Sequence, residues 1–141
     1  MTSNDASHPA ADVDPERARY AEQVLTEILF SSEDTHPLEE TLDRYFTPDY
    51  EQESNGEIYD RESFAVHVKE EFREPTERAT VTVHEVLQEG NRTAQRHRLD
   101  STTRDGATIR MEVSMFAEYA SDGRLRRVHE MTRKTVTGTA R

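Results

Sequence analysis

The chain has no cysteine and no tryptophan, and only two of its 18 basic residues are lysines, Lys69 and Lys134. Without cysteine there is no disulfide, no zinc–thiolate site and no thiol nucleophile. No apolar stretch approaches the roughly 20 residues that cross a bilayer. Met1 to Val13 is polar and acidic and lacks the basic start and apolar run of a signal peptide, so a cytoplasmic location is expected. No GxGxxG, P-loop or GxSxG occurs, which removes ordinary nucleotide-binding and serine-hydrolase readings. The six histidines show no HxH or HxxxH spacing, so no metal site and no cofactor is expected. Basic charge is short as well: 29 acidic against 18 basic residues give a net charge of -11. Such a surface repels phosphate backbones and anionic membranes, so nucleic acid and membrane are not expected partners, despite the run Arg124-Leu125-Arg126-Arg127.

What remains is a 141-residue chain, long enough for one domain with a real core, in which 33% of residues are hydrophobic. Asp14-Pro15-Glu16 is a strong helix start, and Ala21, Val24, Leu25, Ile28 and Leu29 follow at helical spacing. A second, shorter helix begins near Pro37, with Leu38, Leu42 and Tyr45 or Phe46 inward. Thr47-Pro48-Asp49 reads as a turn, and Tyr50 to Tyr59 as a short strand or loop through Ser54-Asn55-Gly56. Asp60 caps a third helix carrying Phe64, Val68 and Phe72, closed by Pro75. Beyond Pro75 the period becomes two. Strands begin at Val81, Thr93, Ile109 and Leu125, separated by turns at Glu89-Gly90-Asn91, Arg104-Asp105-Gly106 and Ser121-Asp122-Gly123. The expected fold class is α+β: three helices on one face of a curved, mostly antiparallel sheet. A domain over 14–136 is expected, flanked by an acidic tail (1–13) and a flexible tail (137–141).

The candidate chemistry lies on the strands. Arg98 and Asp100 sit at i and i+2 and share a face, and Glu130 falls in the last strand. Arg96, Arg98 and Asp100 lie on one face of their strand and Gln95, His97, Leu99 and Ser101 on the other, neither plainly apolar. The charges form either a surface ion pair or the polar wall of a pocket. The next strand favours the pocket, because Met111, Val113 and Met115 alternate with polar residues and should line an interior, with Val128 beside them.

The words Tyr45-Phe46-Thr47-Pro48-Asp49-Tyr50, Tyr59-Asp60-Arg61-Glu62 and Gly123-Arg124-Leu125, in this order of elements, resemble the nuclear transport factor 2-like superfamily and its SnoaL-like members. The resemblance spans about residues 14–136. It implies a cone-shaped sheet closed at one end by helices, a cavity with an open mouth, and frequent dimers. Ketosteroid isomerases in that group place a carboxylate base where Glu53 falls, but their donor positions fall on Met115 and near Val24. The epoxide-hydrolase pattern of the same group matches at Arg98, Asp100 and Glu130, with Tyr50 and Gln52 holding the attacking water. Glu130 stands for an Asp and Gln52 for an Asn in that pattern. The resemblance thus implies one carboxyl as general acid and one as general base, bridged by arginine.

Two functional classes follow. One is a cofactor-free hydrolase, cyclase or isomerase acting on a small apolar or partly polar molecule through Arg98, Asp100 and Glu130, with Tyr50, Gln52 and Glu53 positioning substrate or water. The other is a non-catalytic ligand-binding or dimerisation module. Phe116, on the polar side of its strand, makes the open sheet face a candidate homodimer contact.

Overall fold

The computed structural model describes residues 14–138, so the tail expected over 1–13 and residues 139–141 lie outside the described residues. The elements follow in the order α1 (Pro15–Leu29), α2 (Leu38–Tyr45), β1 (Phe46–Ser54), β2 (Glu57–Asp60), α3 (Arg61–Val68), β3 (Thr76–Glu89), β4 (Arg92–Thr103), β5 (Thr108–Tyr119) and β6 (Leu125–Thr137). A single π-helical turn, Lys69–Arg73, extends α3. The six strands form one sheet in the order β2-β1-β6-β5-β4-β3. All neighbours are antiparallel except β1 and β6, which run parallel. The three helices pack against one face of this open sheet, the α+β arrangement the sequence implied.

Local chemistry explains each boundary. The Asp14 side chain accepts from the backbone N–H groups of Glu16 (3.0 Å) and Arg17 (3.3 Å), with Pro15 in the first turn where a missing N–H costs nothing. Asp60 and Ser63 form a reciprocal capping box at α3. Asn55 and Gly56 both take positive φ, 52° and 91°, as a two-residue hairpin between β1 and β2 requires. Thr47-Pro48-Asp49 is not a turn but part of β1. The β1–β6 register shifts between Phe46 and Glu51, so Pro48 occupies a gap in the ladder where its missing N–H is tolerated.

The core lies between helices and sheet. Leu42 and Val68 are fully buried, and Ile28 and Tyr50 nearly so. Phe46, Tyr50 and Phe64 meet with ring centroids 4.6–5.4 Å apart, tying β1 to α3. The last turn of α1 has no basic residue of its own. Its final carbonyls are instead satisfied from the π-helical turn: Arg73 donates to the carbonyls of Glu27 (2.7 Å) and Ile28 (2.9 Å) and to the Glu33 carboxylate (3.2 Å). Among the described residues no helix is long and apolar enough to cross a membrane. Arg73→Leu should leave those carbonyls unpaired and cost about 3 kcal/mol in urea denaturation; a loss under a few tenths would show that water replaces the guanidinium.

Candidate active site

Which side chains can meet depends on sheet parity. Directly opposed residues of an antiparallel pair share a face. Leu99 opposes Met111, His97 opposes Val113 and Gln95 opposes Met115, so the odd residues of both strands face the helices. Arg98 opposes Glu112 and Asp100 opposes Arg110 on the outer face. There Arg98 Nε donates to Glu112 Oε2 at 2.7 Å, and Arg110 Nε donates to Asp100 Oδ1 at 2.8 Å. The expected convergence of Arg98 and Asp100 with Glu130 therefore does not occur, because the sheet itself separates them. Glu53 is also outward: it alternates with the inward Gln52 and Ser54 and lies 3.6 Å from His129. It cannot position a molecule on the helix side.

Glu130 does face the helices. The parallel register sets Ser54 beside Glu130 and Gln52 beside Val128. Tyr50, Gln52 and Ser54, on alternate positions of β1, form one hydrogen-bonded row. Tyr50 donates to Gln52 Oε1 (2.5 Å), and Gln52 Nε2 donates to Ser54 Oγ (2.8 Å). Ser54 Oγ then donates to Glu130 Oε2 at 2.7 Å, where Gln52 Nε2 also reaches at 3.3 Å. Both contacts use Oε2; Oε1 makes no hydrogen bond among the described residues. Burial pushes the Glu130 carboxyl above the usual carboxylate range, and the Ser54 hydrogen bond only partly opposes this. Burial, followed by the nearby Glu130, drives the Tyr50 phenol well above its ordinary value, which keeps it a donor.

The same face holds a small cavity with an open mouth. Its walls include Met111, Val113, Met115, Val128 and Phe64, and its polar side chains are Gln52, Glu130, His97 and His67. His97 is 2% exposed, and its Nδ1 lies 3.0 Å from the Gln95 amide nitrogen. That nitrogen, as donor to Nδ1, leaves the imidazole proton on Nε2, in a residue that lines the cavity. Burial is the main cause that lowers the His97 pKa to about 4, so the ring is neutral at pH 7. At the mouth, His67 stands against Tyr59 (4.8 Å between centroids) and Phe72 (5.6 Å), the latter carried by the π-helical turn.

A family model for the SnoaL-like domain matches residues 29–128. The chain belongs to this family. Solved structures with the same fold include AclR of Streptomyces galilaeus, a proposed hydroxylase (12% identity, 84% of this chain and 89% of that one, TM-score 0.65). IdmH of Streptomyces antibioticus, a proposed polyketide cyclase, is 18% identical over 84% of this chain and 91% of its own (TM-score 0.60). A proposed SnoaL-like polyketide cyclase from Jannaschia is 14% identical over 78% and 83% (TM-score 0.57). Identities this low carry the fold alone. No curated protein matches the chain. The epoxide-hydrolase likeness finds no support, since two of its three charged positions face away from the cavity. A SnoaL-like fold with a cavity on its helix side supports a small-molecule-binding protein.

His97, Gln95 and Ser54 are the site residues that sequence reasoning passed over. The signal was available in the short turn at Arg104-Asp105-Gly106, which sets Thr103 against Ala107 and so pairs odd positions with odd. Because His97 holds a proton less readily folded than unfolded, stability is full above pH 6.5 and falls as the pH drops toward 4. A displacement of that size corresponds to a loss on the order of 3 kcal/mol. His97→Gln should remove this part of the acid sensitivity when urea midpoints at pH 7 and 4.5 are compared with wild type; parallel losses in both proteins would refute the buried neutral imidazole.

Proposed function

We propose that this SnoaL-like protein is an acid/base enzyme that needs no cofactor, acting on a small, mostly apolar molecule, with Glu130 as the proton-transferring group. The observation that carries the reading is a largely buried carboxyl, in the lining of an apolar cavity, whose Oε2 is held by Ser54 and Gln52 while its Oε1 has no hydrogen bond among the described residues. Protonated, Glu130 gives its proton to an oxygen that gains charge, as in epoxide opening or carbonyl addition. Ionised, it takes a proton from carbon beside a carbonyl or from a hydroxyl. A carboxyl raised toward neutrality serves both directions.

His97 supports the same chemistry. A neutral imidazole with its proton on Nε2 is a donor to an oxygen that becomes negative, without bringing a charge of its own. Glu130 and His97 are separated by two strand spacings and two residues along the strands, roughly 12 Å between backbones, a gap that two inward side chains and a bound group span. Tyr50, Gln52 and Ser54 act as positioning residues: Ser54 and Gln52 hold Glu130 Oε2 directly, and Tyr50 orients the Gln52 amide.

Two experiments test the reading. A panel of epoxides and enolisable ketones should show turnover or solvent deuterium exchange that falls about a hundredfold or more in Glu130→Gln. Equal rates in the two proteins on every compound would remove the catalytic role and leave a ligand-binding module. The outer sheet face carries the association half of the proposal: Phe116 and Met131, 64% and 67% exposed, lie among ion pairs of both signs such as Arg126–Glu118 and Arg98–Glu112. A second copy brought up by a two-fold axis buries these side chains and meets opposite charges. Phe116→Glu should halve the mass seen by light scattering; a monomeric wild type, or an unchanged dimer, would sink this half.

A further inference from the structure

The inward face of the sheet frames more than one space. Successive inward residues of β5 line successive compartments: Ile109 and Met111 the mouth, then Val113 and Met115 the main cavity, then Tyr119 a further, small chamber. Helix α1 follows the same path in the same order, from Phe30 at the mouth through Ile28 and Val24 to Tyr20 and Arg17 at the far end. Ten residue steps of β5 correspond to roughly 33 Å. The compartments share walls. Val24, Leu25, Met115 and Leu125 border both the main cavity and the far chamber, forming an apolar waist between them.

Beyond the waist the wall chemistry changes. Tyr20, Tyr119 and Gln95 line the chamber itself, and Thr93 and Arg17 join them in the more open groove it adjoins beside the turn at Gly90 and Asn91. Thr93 is 7% exposed, and its hydroxyl has no hydrogen-bond partner among the described residues. A buried hydroxyl without a partner is costly, and it is tolerated where something outside the chain completes it. The Tyr119 phenol lies beside Thr93, near enough to oppose in part the rise that its burial causes but short of a full hydrogen bond. Among apolar neighbours such as Ala21 and Val86, the hydroxyls of Tyr20, Tyr119 and Thr93 and the Arg17 guanidinium are all able to donate. Arg17 is only loosely held, 3.6 Å from Asp14 at an exposed helix start.

We propose that the far chamber is a second, polar subsite, taking the oxygen-bearing end of an elongated, mostly apolar ligand whose other end meets Glu130. This rests on the small-molecule reading of the main cavity given above. Met115 opposes Glu130, and Tyr119 lies four residues further along β5, so the two subsites are about 13 Å apart. A single-ring molecule cannot bridge them, whereas a chain passing the Val24–Met115 waist can. The donors at the far end select an acceptor group, either a carboxylate or a carbonyl oxygen.

Calorimetric titration of the full chain with three probes tests this: cyclohexanone, which fits the main cavity alone, dodecanoate, and methyl dodecanoate. Thr93→Val and Tyr119→Phe remove hydroxyls without changing volume, and Ala21→Phe narrows the far chamber from α1 as an independent check. Each variant should weaken the long probes roughly fivefold or more, the value of one hydrogen bond, while leaving cyclohexanone unchanged. A larger loss for dodecanoate identifies a carboxylate, and equal losses identify the carbonyl oxygen. If wild type binds cyclohexanone but the long probes ignore Thr93, Tyr119 and Ala21, the second subsite is overturned and the main cavity stands. If wild type binds none of the three, both fall together.

Discussion

The alternation of faces along β4, β5 and β6, pinned by tight turns, governs everything else in this fold. Side chains of a strand point to opposite faces with period two, so a one-residue slip would exchange the whole lining of the cavity with the outer surface. With the register as it stands, Leu99, Met111, Val113 and Val128 face the helices and are covered by Ile28, Phe64 and Val68. Arg98, Asp100, Arg110 and Glu112 face outward, where each finds an opposite charge across the strand pair. A slip would bury that row of charges and expose the core, which is why the register is strongly determined despite the modest hydrophobic content.

Against this background Glu130 is the exception. It is the charged-type residue that the register turns inward, and the parallel partner strand supplies what a buried carboxyl needs. Ser54 and Gln52 satisfy one of its oxygens, and Tyr50 fixes the amide that reaches it. The second oxygen has no hydrogen bond among the described residues, in a residue that lines the cavity. A half-satisfied carboxyl costs stability, and the pKa raised by burial is the signature of that cost. His97 is handled the same way, with one nitrogen held by Gln95 in a ring that lines the cavity. Each polar group is thus anchored on its own strand face by the residue two positions away or directly alongside, a pattern that settles its orientation.

The SnoaL-like fold suits such an arrangement because an open sheet covered by helices on one side leaves a seam instead of a solid core. Here the seam continues past the main cavity along α1. The helix is held at one end by Asp14 and at the other by Arg73, so its separation from the sheet is set by capping at both termini and by the packing of Val24, Ile28 and Leu29 in between. The outer face, with alternating acids and arginines around Phe116 and Met131, has the opposite character.

Much of this was legible in the sequence. Helix starts at Asp14-Pro15 and Asp60, the change of period after Pro75, and the turns at Asn55-Gly56 and Asp105-Gly106 are local signals, and local chemistry realises them. The apolar stripe Met111-Val113-Met115 marks the cavity wall for the same reason. The Arg98-Leu99-Asp100 motif could not be read this way, because β4 has no plainly apolar face and its orientation depends on the strand beside it. Nor could the strand role of Thr47-Pro48-Asp49, which exists only because β6 tolerates a gap in its ladder. Spacing within one strand determines which residues share a face. Only pairing between strands distant in sequence, such as Ser54 with Glu130 across 76 positions, decides which face is the inside and which carboxyl is left in it.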